Sequence, residues 1–138
     1  MHLRSDHHLA AFVARPPPRL ALAELPTPVT RAPWLDGPAA EVWIKRDDQT
    51  SRLYGGGKVR KLEWLLASPT YGGDGPIVSI GGIGSHHLLA LTLFLRQQGR
   101  DSHALCFEQT LTPHVRATVA AMVSAGARLW SVRSRIGI

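Results

Sequence analysis

The feature of this sequence that most constrains its fold is an alternation of short apolar segments with helical segments of about a dozen residues. Segments rich in β-branched and aromatic residues predict strands, whereas apolar residues recurring every three or four positions predict helices. The predicted order is strand 41–46, helix 58–67, strand 76–80, helix 85–98, strand 102–108, helix 112–125 and strand 127–132. Such an order is typical of βαβ units, so we predict an α/β fold in which helices cover both faces of a parallel sheet.

Two glycine-rich turns each lie between a predicted strand and the helix that follows it. The first spans residues 55–57 and precedes Lys58, and the second spans residues 81–84 and precedes Ser85. Ligands of parallel sheets bind beyond the carboxyl ends of the strands, where such turns lie. Neither turn has the residue spacing of a nucleotide-binding loop. The turns therefore mark a candidate ligand-binding edge for a ligand other than a nucleotide.

Lys58 falls in the first turn of its predicted helix, beside backbone that carries no side chains. Its amine can be a solvated surface charge, or it can be a nucleophile that forms a Schiff base with a carbonyl cofactor. Desolvation and nearby cations, such as Arg60 and Lys61, favour the neutral amine that such a reaction needs. Taken alone, the motif favours the solvated charge and leaves the nucleophile open.

Ser85 and the two histidines that follow it begin the next predicted helix. The Ser85 hydroxyl can cap that helix, or it can lie over a bound ligand. His86 and His87 are adjacent, and neighbours on a helix point in different directions, so we do not expect them to chelate one metal ion. The sequence predicts no metal site.

Several polar residues are better explained by structure than by chemistry. Asp47 and Asp48 directly follow Lys45 and Arg46, so we expect ion pairs at the end of a strand. Cys106 lies in an apolar, strand-like stretch, which predicts a buried and inert thiol.

Composition limits the classes of partner. The net charge of +6 is spread over 16 basic residues without a long run, so we predict no specific nucleic-acid binding. A single cysteine excludes an intrachain disulfide and fits a reducing compartment. No apolar run approaches the roughly 20 residues that span a bilayer, and the N-terminus does not read as a signal peptide. We therefore expect a cytoplasmic protein without a membrane partner.

Four segments, taken together and in order, resemble the pyridoxal 5'-phosphate (PLP) enzymes of the 1-aminocyclopropane-1-carboxylate (ACC) deaminase and D-cysteine desulfhydrase family. They are LPTP at 25–28, IKRDD at 44–48, GGGKVRKLE at 55–63 and SIGGIGSHH at 79–87. The resemblance covers residues 25–132 and implies a tryptophan-synthase-β-like fold of type II. On this basis residues 1–30 are expected to form a peripheral extended segment, and residues 31–138 the N-terminal part of a longer two-domain fold.

The resemblance also implies a function, namely a PLP-dependent lyase or deaminase that acts on a small amino acid. It implies that Lys58 is the Schiff-base lysine and also moves protons, and that Ser85 lies near the substrate. Lys61 is expected near the cofactor phosphate, and His86 beside the cofactor ring hydroxyl. Two positions depart from the family pattern, because Gly57 and His86 stand where the family usually has asparagine.

Family members are much longer than 138 residues, and their later half supplies a glycine-rich cradle for the phosphate. The resemblance therefore implies a site that is completed by further chain, by a homo-oligomer or by a complementing chain. The alternative is a truncated α/β remnant without catalytic activity, which would bind no cofactor.

Overall fold

The structure is a computed structural model that describes residues 17–133. Predictions that concern residues 1–16 and 134–138 lie outside this range. The described residues form two compact units, which meet in the sequence between Ser68 and Pro69. The expected boundary between a peripheral segment 1–30 and an α/β region 31–138 stays a prediction.

The first unit contains a short antiparallel ladder and one helix. Strand β1 (Val29–Arg31) pairs antiparallel with β2 (Trp43–Lys45), and α1 spans Gly57–Leu65. The predicted strand 41–46 is thus present in shortened form, but its assignment to the parallel sheet is wrong. Its partner β1 directly follows the proline-punctuated segment 25–28. The three residues of β1 are too few to carry a periodic signal that could have predicted a strand.

Helix α1 buries the apolar face that its sequence predicts, together with one carboxylate. Val59, Leu62 and Leu66 are buried, which holds the helix against its unit. Glu63, which lies beside them, is also fully buried. A buried carboxylate requires hydrogen-bond partners. Glu63 has four donors, two from the Arg19 guanidinium and two from the backbone N–H groups of Leu22 and Ala23.

The second unit is a βαβαβ arrangement. Its elements are β3 (Ile77–Gly82), α2 (His86–Gln97), β4 (Ser102–Phe107), α3 (Pro113–Ser124) and β5 (Arg128–Val132). The three strands form one parallel sheet in the order β3-β4-β5. The predicted α/β class and parallel sheet are therefore confirmed.

The helices of the second unit begin and end where local signals predict. Thr112 caps α3 by accepting a hydrogen bond from the backbone N–H of Val115 (3.3 Å), and Pro113 is the first helical residue. Gly126 follows α3 with a φ of +90°, a left-handed conformation that favours glycine at the end of a helix. Within residues 17–133 no helix has the length and apolarity that crossing a bilayer requires.

One face of this sheet is covered and the other is open among the described residues. Helix α2 packs against β3, β4 and α3, and the alternate residues Ala104 and Cys106 of β4 are buried. The opposite face exposes Val78 (56%), Ile80 (43%) and Trp130 (52%). We predicted helices on both faces of the sheet. Among the described residues, helices cover one face only.

Candidate functional site

The first group of predicted site residues lies at the end of a loop, residues 47–58, which we call the lysine loop. The backbone N–H of Gly56 donates to the carbonyl of Asp47 (2.6 Å), so the two ends of the loop are joined. The hydroxyl of Thr50, which is fully buried, lies 3.0 Å from the Asp47 carbonyl and 3.1 Å from the Gly56 carbonyl. Helix α1 begins directly after this closure, and Lys58 is its second residue.

The three glycines of the lysine loop have different roles. A Cβ at Gly55 would lie 1.9 Å from the carbonyl oxygen of Asp48, so no side chain fits there. Gly56 has a φ of +98°, in the left-handed region that favours glycine. A Cβ at Gly57 would meet nothing within 4 Å. The backbone therefore requires the first two glycines, whereas Gly57 occupies a position that could carry the asparagine usual in the resembling family.

The Lys58 side chain is exposed, as is that of Lys61 three residues later. Residues three apart lie on neighbouring positions of a helix surface, so these two cations share one side of α1. Arg60, the other predicted cationic neighbour, pairs with Asp47 at 2.7 Å, which compensates its charge. The described residues of this unit therefore leave Lys58 exposed to solvent.

Asp47 and Asp48 act as the ion-pair partners that the sequence predicts. Asp48 accepts hydrogen bonds from Nε (2.9 Å) and Nη2 (2.6 Å) of Arg46, and Asp47 accepts one from Arg60. These hydrogen bonds hold the pKa of each carboxyl below its usual range, and the bond to Asp48 raises the pKa of Arg46. The partner of Asp47 could not be predicted, because it lies 13 residues away along the chain.

The LPTP segment supports the lysine loop. Thr27 is buried, and both its carbonyl and its hydroxyl accept hydrogen bonds from Nζ of Lys45. Glu24, just before the segment, donates its backbone N–H to the carbonyl of Thr50 (2.7 Å), while Pro28 accepts from Arg46 (2.9 Å). An open groove of about 660 Å³ lies between residues 24–28 and the loop residues 48, 49, 51 and 52. The first two motifs of the resemblance are therefore in contact.

The second group of predicted residues forms the serine turn, residues 81–86, at the carboxyl end of β3. The Ser85 hydroxyl accepts a hydrogen bond from the backbone N–H of Leu88 (3.4 Å), which makes Ser85 the cap of α2. Its own N–H donates to the carbonyl of Gly82 (2.9 Å). A Cβ at Gly81 would lie 3.1 Å from both Cβ and Oγ of Ser85. The capping role is therefore observed, and a position near substrate stays a prediction.

Gln109, which sequence analysis missed, closes the serine turn. Its Oε1 accepts the backbone N–H of Gly84 (3.1 Å) and lies 2.4 Å from the position that a Cβ of Gly82 would take. A Cβ at Gly84 would lie 2.8 Å from Cγ2 of Val115. A side chain at Gly84 would therefore displace the buried Val115, whereas one at Gly82 would require only the end of the Gln109 side chain to move. The available signal was the placement of Gln109 just after β4, at the same edge of the sheet.

His86 contacts a second histidine that sequence analysis also missed. Its Nε2 lies 2.7 Å from Nε2 of His114, and the two rings stack with centroids 4.9 Å apart at 29°. Both side chains are exposed, and they stand in the first turns of α2 and α3. Among residues 17–133, no cluster of three or more His, Cys, Asp or Glu side chains is placed to hold a metal ion.

Comparison with known proteins gives a consistent result. No family model matches the chain. A D-cysteine desulfhydrase of Salmonella paratyphi A is 43% identical over 83 residues, which are 59% of this chain and 24% of that protein. A D-cysteine desulfhydrase of Salmonella enteritidis is 42% identical over 83 residues, with the same coverage.

A solved structure agrees with these relatives. The crystal structure of an ACC deaminase homologue superimposes with a TM-score of 0.75 and 27% identity, over 95% of this chain and 39% of that one. The match thus covers about a quarter of the length of the curated relatives and about two fifths of the solved structure. This chain is accordingly similar to part of a D-cysteine desulfhydrase and to part of an ACC deaminase homologue, which supports the N-terminal assignment that the resemblance implies.

Proposed function

We propose that this chain carries the N-terminal part of a PLP-dependent lyase or deaminase site for a small amino acid, with Lys58 as the Schiff-base lysine. The observation that carries the proposal is the lysine loop, which fixes the backbone on both sides of an exposed amine. Its closure by Thr50 and Gly56 positions the first turn of α1. Fixed geometry is what a positioned nucleophile requires.

Taken unit by unit, the predicted site residues carry chemistry that suits PLP. In the first unit, the Lys58 amine suits the cofactor carbonyl, and Lys61 supplies a neighbouring positive charge for the phosphate. In the second unit, the Ser85 hydroxyl and the His86 imidazole lie at the sheet edge where ligands of parallel sheets bind. When bound, PLP supplies an electron sink that eases bond breaking beside the substrate nitrogen. The Lys58 amine could then take up a proton from the substrate carbon beside that nitrogen, or return one to it.

The phosphate needs donors beyond those of the serine turn, because Gln109 already accepts the N–H of Gly84 and fills the space beside Gly82. We therefore include in the proposal a further part of the site, supplied by a longer protein, by a second copy or by a complementing chain. A cytoplasmic location is also part of the proposal, and it is supported by the single, buried cysteine.

A PLP titration of the 138-residue chain tests this proposal. We expect a new absorbance band from bound PLP in the wild type, alone or with the C-terminal part of a D-cysteine desulfhydrase added, and no such band in Lys58→Ala. Lys45→Arg is the matched control, because the Lys45 amine is held by Thr27 and should not react. A band that survives Lys58→Ala, or its absence under both conditions, would refute the proposal.

A remnant without catalytic activity is the second candidate. It is favoured by the exposure of Lys58 and by the closure of the serine turn on Gln109. It predicts a folded chain whose PLP titration is the same in the wild type and in Lys58→Ala. The experiment above therefore separates the two candidates.

A further inference from the structure

One face of the parallel sheet in the second unit is apolar and lies open among the described residues. The register places Val78 and Ile80 of β3, Leu105 of β4 and Trp130 of β5 on this face. Leu105 is half-buried, and the other three side chains are exposed. We call these four side chains the open face. All-parallel sheets occur almost only with both faces covered, so the open face indicates a surface that binds a partner.

The connections between the strands explain why the open face stays uncovered. The strands lie in the sheet in the order β3-β4-β5, so both crossovers advance in the same direction. Crossovers between parallel strands are right-handed, which places α2 and α3 on the same face of the sheet. In agreement, α2 packs on β3 and β4 and contacts α3. The described residues of this unit therefore hold no helix for the open face.

The size of the open face fits one helix. Neighbouring strands lie about 4.8 Å apart and rise about 3.3 Å per residue, so three strands of about five residues span roughly 10 Å by 17 Å. A helix is about 10 Å wide and rises about 1.5 Å per residue, so one of about 11 residues covers this area. Because a stable interface buries about 800 Å² per partner, two copies of this chain would not stay associated through the open face alone. The occupant is therefore a helix of a chain that also makes other contacts.

The open face has a positive charge at one end. Arg128 of β5 is in register with His103 of β4, which in turn pairs with Val78, so it lies where the strands begin. Its guanidinium lies 3.6 Å from the carboxylate of Asp101, and both side chains are 64% exposed. Such an exposed ion pair is weak, so it leaves Arg128 able to pair with a carboxylate of a partner. A complementary helix therefore carries an aspartate or glutamate at this end of its apolar stripe.

We infer that the open face binds one amphipathic helix of a complementing chain, with apolar residues at every third or fourth position and a carboxylate near Arg128. This spacing brings apolar side chains onto one side of a helix. The inference rests on the proposed function, which requires a further part of the site, and it names the surface that binds the chain supplying that part. Binding buries apolar surface that the described residues leave in water.

Co-expression of the 138-residue chain with an affinity-tagged C-terminal part of a D-cysteine desulfhydrase tests the inference. We expect the wild type to be purified with the tagged part, and recovery of Ile80→Asp to fall at least about 10-fold, because binding would bury its charge. Val123→Asp is the matched control, since Val123 is 56% exposed on α3 and lies outside the open face. Arg128→Gln should weaken binding up to about 5-fold, the value of one surface ion pair. Circular dichroism confirms the fold of each variant.

The inference is overturned if the wild type does not bind the tagged part, if Ile80→Asp is recovered equally well, or if Val123→Asp causes the same loss. A stable dimer of the chain alone that Ile80→Asp dissociates would also overturn it, because the occupant would then be a second copy. Binding that depends on Ile80 but gives no absorbance band from bound PLP would refute the proposed function alone. A band that requires the C-terminal part and is unchanged in Ile80→Asp would refute this inference alone.

Discussion

The carboxylate of Glu63 gives the clearest test of how the first unit holds α1, the helix that carries Lys58. Glu63 is fully buried, and its Oε2 accepts hydrogen bonds from Nε (2.8 Å) and Nη2 (2.7 Å) of Arg19. Its Oε1 accepts the backbone N–H groups of Leu22 (3.0 Å) and Ala23 (2.8 Å). One side chain of α1 thus ties the helix to the segment 19–23.

We predict that Glu63→Ala lowers the free energy of unfolding by about 3–5 kcal/mol, the cost of removing one partner of a buried ion pair. Glu63→Gln keeps an acceptor for the two N–H groups but loses the charge that faces Arg19. We expect it to cost about 1.5–3 kcal/mol, the range for a hydrogen bond to a charged group.

Urea denaturation followed by tryptophan fluorescence measures these changes. Trp64 reports on this contact directly, because the Arg19 guanidinium lies 5.5 Å from the centre of its ring. Glu24→Gln is the matched control, since Glu24 pairs with Arg52 at 3.4 Å on the surface, where a salt bridge contributes about 0–1 kcal/mol. The reasoning fails if Glu63→Ala costs no more than the Glu24 control.

Three further predictions concern the glycines of the lysine loop, the stability of the fold at low pH and the reactivity of the Cys106 thiol. Gly57→Asn should have the thermal midpoint of the wild type, because a Cβ at this position meets nothing within 4 Å. Gly55→Ala should lower the thermal midpoint by several degrees, because its Cβ would collide with the Asp48 carbonyl. Thermal melting curves measure both midpoints, and equal midpoints for the two variants would contradict the loop geometry. The lowered pKa values of Asp47 and Asp48 stabilise the fold above their unfolded value of about 3.9, so this stability should be lost as the pH falls through their folded pKa values; an acid titration in which Asp48→Asn unfolds at the same pH as the wild type would argue against it. Burial raises the pKa of the Cys106 thiol, so it should react with a thiol reagent only after denaturation, and fast labelling of the native chain would show otherwise.

Local signals predicted much of the fold. The caps Ser85 and Thr112, the glycine at residue 126 and the helical position of Lys58 depend on residues within a few positions, and all are observed. The ion pair between Arg46 and Asp48 follows from their proximity in sequence. Such features need no knowledge of the tertiary structure.

Contacts between distant residues could not be predicted in this way. The pairing of β1 with β2 replaces the parallel neighbour expected for β2, because two three-residue strands carry no periodicity that specifies a partner. His114 reaches His86 across 28 residues, and Gln109 reaches Gly84 across 25. Both contacts arise because the carboxyl ends of parallel strands meet at one edge, which the sequence indicates only in outline.

The central claim, that Lys58 is the reactive amine, can be tested by identifying which amine PLP modifies. The chain contains three lysines, Lys45, Lys58 and Lys61, so reduction of the PLP complex with borohydride followed by peptide mass mapping gives an unambiguous assignment. The account predicts a single reduced adduct on Lys58, with Lys45 and Lys61 unmodified. An adduct that is spread over all three lysines and the N-terminal amine, or one that forms on Lys61 in preference to Lys58, would contradict it.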